Sequence, residues 1–144
     1  MTEKATIFQA VQIGIETVPG TPVAANKKML AMSIVPGVQV ESDIFRAIGN
    51  KYASLVTPNK EWTEARIEGK LTYNEILYAL ISLLSQPTPV QQGATAAYQW
   101  TFTSDTSGED AGKTLTVEQG DSTYTWRAAG LRVSGLTFTF SRDG

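Results

Sequence analysis

The sequence predicts a mainly β, α+β chain with a single helix. Short runs alternate apolar and polar residues with period two, one run repeats apolar residues at helical spacing, and stretches rich in Gly, Pro and Asn separate them. Tyr98, Trp100 and Phe102 alternate with Gln99, Thr101 and Thr103, and Leu115 and Val117 with Thr114, Thr116 and Glu118. Tyr124, Trp126 and Ala128 alternate with Thr123, Thr125 and Arg127. These read as half-buried strands whose threonines suit the wet face, because a β-branched side chain fits a pleated backbone. Gln119-Gly120-Asp121-Ser122 reads as the hairpin turn between the last two.

Leu131 and Val133 sit at odd positions, whereas Leu136, Phe138 and Phe140 sit at even ones. A β-bulge at Gly135 would keep both sets on one face; two short strands joined there is the alternative. In the first half, Val11, Ile13 and Ile15 make one strand. Ala31–Val35 and Val38–Ile44 make two more, separated by the turn pair Pro36-Gly37. Ala65, Ile67, Gly69 and Leu71 alternate with Glu64, Arg66, Glu68 and Lys70, a strand with a highly charged outer face.

The helix is expected over about 72–85. Tyr73, Ile76, Leu77, Leu80, Ile81 and Leu84 form an apolar stripe at helical spacing. Thr72 and Glu75 form a capping box, and Pro87 ends the helix at Gln86. Such a helix covers one face of a sheet. Ala79 and Leu83 widen its apolar side, toward the same core or toward a neighbouring subunit.

Glu16–Lys28, Ala47–Lys60 and Pro87–Ala97 lack periodicity. Aperiodic stretches of this length are uncommon in a compact domain unless they carry function. They read either as arms that dock on partners or as ordinary surface loops.

Composition narrows the function. The 144 residues are enough for one domain with a real core, and a formal charge of −2 gives no sign of wrapping nucleic acid or coating a membrane. There is no cysteine and no histidine. That removes a thiol nucleophile, a Cys/His zinc site, a histidine base and a disulfide framework. The N-terminal run lacks the apolar core and cleavage site of a signal peptide, and the longest apolar stretch, Ile76–Leu84, is far short of the roughly 20 residues of a membrane span.

Candidate chemistry fails on spacing. Gly108–Thr114 resembles a phosphate loop but has three residues between its glycines instead of four, and it leads into a strand. Asp105, Glu109 and Asp110 share a loop that could hold calcium, without the ligand order of an EF-hand, and read better as a solvated acidic turn. Glu61, Glu64 and Glu68 might suggest the paired carboxylates of a glycosidase, but Glu64 and Glu68 lie in phase with Arg66 and Lys70 on a solvated or subunit-facing surface. No S-x-x-K or G-x-S-x-G is present. The expectation is a protein with no catalytic residues, no metal and no cofactor. Trp100 and Trp126 lie in phase with the apolar faces of their strands. Trp62 is out of phase with Ala65–Leu71 and reads as an interface anchor or as plain packing.

The order of several segments resembles the major tail (tube) protein of long, flexible-tailed bacteriophages or a related prophage. These are Gln12–Ala25 with its Val18-Pro19-Gly20-Thr21-Pro22, Ser33–Gln39, Asn59-Lys60-Glu61-Trp62, Tyr98–Ser104, Thr116–Gly120 and Gly135–Arg142. The resemblance implies a β-sandwich or barrel of two packed antiparallel sheets with one flanking helix. It implies a structural virion protein whose rings, hexameric in that family, stack into the tail tube that conducts DNA. Partners would be copies of itself, other tail proteins such as the tape measure and terminator, and DNA in transient, non-specific passage. No membrane and no small-molecule substrate is expected. The setting would be the virion tail, assembled in the host bacterial cytoplasm. The chain would be one tail-tube-like domain over 1–144, or the N-terminal domain of a longer protein.

On this reading Glu16–Lys28 and Ala47–Lys60 are inter-subunit arms. The first carries Pro19, Gly20, Pro22, Lys27 and Lys28; the second carries Asn50, Lys51, Tyr52, Pro58 and Lys60. Trp62, Glu64 and Glu68 join them as interface candidates. The competing readings are a head–tail adaptor, tail terminator or capsid-decorating protein, and a β-sandwich carbohydrate-binding module.

Overall fold

The computed structural model describes residues 9–30, 32–104, 111–122 and 124–142. Its elements in chain order are β1 (Ala10–Ile15), β2 (Lys27–Met29), β3 (Met32–Phe45), β4 (Leu55–Gly69), α1 (Tyr73–Leu83), β5 (Val90–Gln91), β6 (Tyr98–Gln99), β7 (Leu115–Gly120) and β8 (Thr125–Leu131). The chain divides into two units, one of Met1–Ala31 with Lys70–Gly144, the other of Met32–Gly69.

Among the described residues the fold is mixed, with three small sheets and one short helix. The sheets run β2-β1-β7-β8, β3-β4 and β5-β6, and among the described residues none closes into a barrel or forms a sandwich. The expected pair of packed antiparallel sheets is therefore corrected. Too few of the alternating runs acquire ladder partners: period-two patterning selects which side chains share a face, but not which strand lies alongside.

In the larger unit, β1 is central and antiparallel to both β2 and β7, with Val11 opposite Met29 and Ile13 opposite Val117. Val11, Ile13, Met29, Leu115 and Val117 are buried and fall on one face by register. Each such side chain removed from water contributes about 1.5–3 kcal/mol. The expected turn after Gln119 joins β7 to β8: the Asp121 amide donates to the Tyr124 carbonyl at 2.9 Å, and the Tyr124 amide to Asp121 Oδ1 at 2.9 Å.

Helix α1 forms where expected. The Thr72 hydroxyl accepts the Glu75 amide at 3.3 Å and donates to Glu75 Oε2 at 2.8 Å. The helix rotates away from the expected stripe, however. Glu75, Ile81 and Ser82 are buried, while Tyr73 is 96% exposed. The cause is polar. Residues flanking three strands donate backbone N–H groups to it: Leu30 to the Glu75 carboxylate, Lys113 to the Ile81 carbonyl at 3.2 Å and Val133 to the Ser82 hydroxyl at 3.0 Å.

Four local readings are corrected. Pro36-Gly37 is no turn, for β3 runs through it with Pro36 opposite Ala65. A proline is tolerated because both strands of a two-stranded ribbon are edges and its missing N–H can face outward. The aperiodic Pro87–Ala97 contains β5 and the turn that leads to β6, closed by the Gln92 amide on the Ala97 carbonyl at 2.9 Å. Of the strand expected over Tyr98–Thr103 only Tyr98–Gln99 pairs, which leaves Trp100 39% exposed. The bulge expected at Gly135 lies instead at Ala129-Gly130, where β8 has Leu131 opposite Leu115 and Ala128 opposite Val117. Gly130, at φ +70°, supplies the left-handed backbone that such a bulge needs. Beyond it, Leu136–Phe140 joins no ladder among the described residues. The acidic loop of Asp105, Glu109 and Asp110 lies outside the described residues.

Candidate interaction surface

The β3-β4 unit is an antiparallel ribbon of strands 14 and 15 residues long, paired from Met32–Gly69 to Phe45–Leu55. At about 3.3 Å per residue each strand extends roughly 45 Å. Register sorts its side chains into two unlike faces. One carries Met32, Ile34, Pro36, Val38, Val40 and Ile44 from β3, opposite Ile67, Ala65, Thr63, Glu61 and Val56 from β4. The other carries Glu41 and Asp43 with Lys60, Trp62, Glu64, Arg66 and Glu68, together with exposed Val35 and, at the turn end, Phe45 and Leu55.

A bulge makes this division possible. The register shifts between Glu41 and Ser42, so that Lys60 opposes Glu41 and Pro58 opposes Ser42, with Asn59 left over. Side-chain parity on β4 inverts there. Val56 and Pro58 join the apolar face, whereas without the extra residue they would fall among the charges.

Along the apolar face Ile34 is buried, but Val38 is 65% exposed and Ile44 70% exposed. Val40 and Val56 are exposed as well. A two-stranded ribbon is marginal without a covering layer, and a wet, largely apolar face, interrupted here by Glu61 and Ser42, marks an interaction site. The charged face is internally organised. The Lys60 ammonium lies 5.1 Å from the Trp62 ring centre, the Trp62 indole donates to Glu64 Oε1 at 3.0 Å, and Arg66 pairs with Glu68 at 2.5 Å. These exposed contacts align side chains and contribute little stability each.

Each sequence-predicted interface residue can now be placed. Lys60, Trp62, Glu64 and Glu68 share the charged face, and Pro58 lies on the apolar one. Asn50, Lys51 and Tyr52 occupy the turn between the strands, where the Lys51 ammonium lies 5.6 Å from the Tyr52 ring centre. The second arm is thus half strand: Leu55–Lys60 belongs to β4 and is paired. Sequence reasoning missed the face of Val38, Val40, Ile44 and Val56. Val38–Ile44 reads as a strand in the sequence, without a statement of which of its faces is wet.

The first arm belongs to the other unit and is pinned along its length. Pro19, Gly20 and Pro22 are exposed, but the Gly20 amide donates to Glu16 Oε2 at 2.8 Å and the Val23 amide to Thr116 Oγ1 at 3.1 Å. Ala25 is buried, and Lys27 and Lys28 form part of β2. A Cβ added at Gly14 would meet the Ala24 carbonyl oxygen at 2.7 Å, so the segment lies directly on β1.

At the root of this segment Glu16 is 1% exposed and accepts four hydrogen bonds, from the Gly20 and Gly130 amides and the Thr114 and Thr116 hydroxyls. Burial pushes its carboxyl pKa up. The bonds from Thr114, Gly130, Thr116 and Gly20 together outweigh burial and hold it below the ordinary value. A carboxylate with every donor aimed at it is a structural knot and offers no free acid–base group.

Among the described residues no group of three acidic side chains is placed to hold a metal ion, and no helix is long and apolar enough to cross a membrane. Comparison with known proteins gives no match: no family model, no curated relative and no solved structure is similar to this chain.

Proposed function

We propose that this chain is a structural subunit that assembles with copies of itself, forming rings that stack into a DNA-conducting tube of the kind built by the major tail proteins it resembles in sequence. The observation that supports self-assembly most directly is the exposed apolar face of the β3-β4 ribbon, backed by an ordered charged face. A ribbon of this length with one wet apolar side lacks the second layer that sheets ordinarily require. A sister copy supplies such a layer with matched length and chemistry. The slightly negative charge suits a tube through which a polyanion must slide, since phosphate-neutralising contacts would hold it.

Negative-stain microscopy with light scattering across a concentration series tests the reading. Rings that stack into tubes as concentration rises are the expected result. Closed rings that never stack would support the adaptor, terminator or decorating role instead. A monomer at millimolar concentration would overturn self-assembly altogether.

A further inference from the structure

Leu136-Thr137-Phe138-Thr139-Phe140 has the alternation of a half-buried strand and no ladder. Among the described residues no backbone hydrogen bond joins it to the rest of the chain, and its apolar side chains stay wet, with Phe138 42% and Phe140 84% exposed. The Phe138 and Phe140 rings lie 6.3 Å apart, on one side of the segment. Between β8 and this segment the Val133 amide donates to Ser82 on α1, and no ladder joins the segment to β8. Among the described residues the outer edge of β8 has no ladder partner and is of the right length. Strand β8 ends the four-stranded sheet, and Thr125–Ala129 precedes its bulge. By register Trp126 and Ala128 continue the apolar face of Val117 and Ile13, while Thr125 and Arg127 lie on the opposite, exposed face.

We infer that Leu136–Phe140 of one copy adds as a strand to the outer edge of β8 in a second copy. Main-chain hydrogen bonds supply the attachment, and the alternation supplies the register. Leu136, Phe138 and Phe140 then extend the apolar face past Trp126 and Ala128, and Thr137 and Thr139 lie beside Arg127 on the wet face. Donor and acceptor are different parts of the chain, so one-way donation is heterologous and propagates into a ring or filament, whereas reciprocal donation closes as a two-fold dimer. This rests on the self-association proposed above, but on a contact independent of the ribbon.

The absence of cysteine allows a clean test on the full chain. Chains carrying Arg127→Cys are mixed with chains carrying Thr137→Cys or Thr139→Cys under mild oxidation. The expected result is a mixed disulfide dimer well above the statistical share, which is itself about twice either homodimer. Adding Phe138→Pro to the donor chain, which removes one ladder N–H, should lower its yield about fivefold or more. Homodimers and mixed dimers in statistical proportion would overturn the inference. So would rapid closure within one molecule in a dilute double variant, since the segment would then sit on its own β8. Tubes that form without the mixed disulfide would refute strand donation alone, whereas no association at any concentration would refute both proposals.

Discussion

Glu16 Oε1 accepts the backbone N–H of Gly130 at 2.8 Å, across 114 positions of sequence. The same carboxylate takes the Thr114 hydroxyl at 2.6 Å, the Thr116 hydroxyl at 2.8 Å and the Gly20 amide at 2.8 Å. One side chain at the end of β1 therefore joins its own loop, β7 and the bulge of β8. It is fully buried, and among the described residues its charge is stabilised by hydrogen-bond donors with no cation beside it.

Replacing this residue tests the knot. Glu16→Gln keeps the shape but puts an NH2 group against donors, leaving buried N–H and O–H groups unsatisfied. It should destabilise the chain by about 1–3 kcal/mol at neutral pH in urea unfolding. Because the folded carboxyl titrates below its ordinary value of 4.5, the unfolded chain takes up the proton first as pH falls. The stabilisation is whole above that value and drains away as pH drops through the lower folded one. The gap between wild type and variant should shrink by pH 3; a constant gap would show that charge is not what the donors stabilise.

Gly14 reports on how tightly the first loop is seated. Its added Cβ would come within 2.7 Å of a backbone oxygen and 2.9 Å of Val23 Cγ2. Backbone gives way less easily than a side chain, so Gly14→Ala should cost about 1–3 kcal/mol. Denaturant unfolding of Gly14→Ala is the measurement, and a neutral outcome would mean that the segment is free to lift from β1.

On the ribbon the two faces should answer differently. Val38→Glu and Val40→Glu place charge on the apolar face and should weaken self-association about tenfold or more. Glu64→Gln, on the charged face, should change stability by about 0.5 kcal/mol or less. Sedimentation across a concentration series measures the first effect, with circular dichroism as the control for folding. Equal association of Val40→Glu and wild type would remove the apolar face from the interface.

The helix start makes a local prediction. Thr72→Ala removes both the acceptor for the Glu75 amide and the donor to the Glu75 carboxylate, and should cost about 1–2 kcal/mol. Thr72→Ser should recover most of that in thermal unfolding. Failure of serine to rescue would point to the lost methyl group rather than the cap.

What could be read in advance was local. The capping box of Thr72 and Glu75, the stop before Pro87 and the turn after Gln119 each depend on groups a few residues apart, and each formed where the residues placed it. The two faces of Ala65–Gly69 were legible for the same reason: alternation is enforced by the pleat. Trp62 was rightly set out of phase with that strand, since the Asn59 bulge lies before it and leaves the parity from Lys60 onward unbroken.

Partnership was not legible. Trp100–Thr103 and Leu136–Phe140 alternate as well as β7 does, yet only β7 finds strands on both sides. Nothing in Pro36-Gly37 reveals that an opposing strand runs straight past it. Glu16 looked like the first polar residue after a strand, because three of the four groups that make it a knot arrive from 98 to 114 positions away. Side-chain period, caps and turns are properties of neighbouring residues and are determined by the sequence directly. Ladder pairing, the rotation of α1 toward Glu75 and Ser82, and the wet apolar side of the ribbon depend on which distant backbone groups come together, and only the tertiary structure decides that.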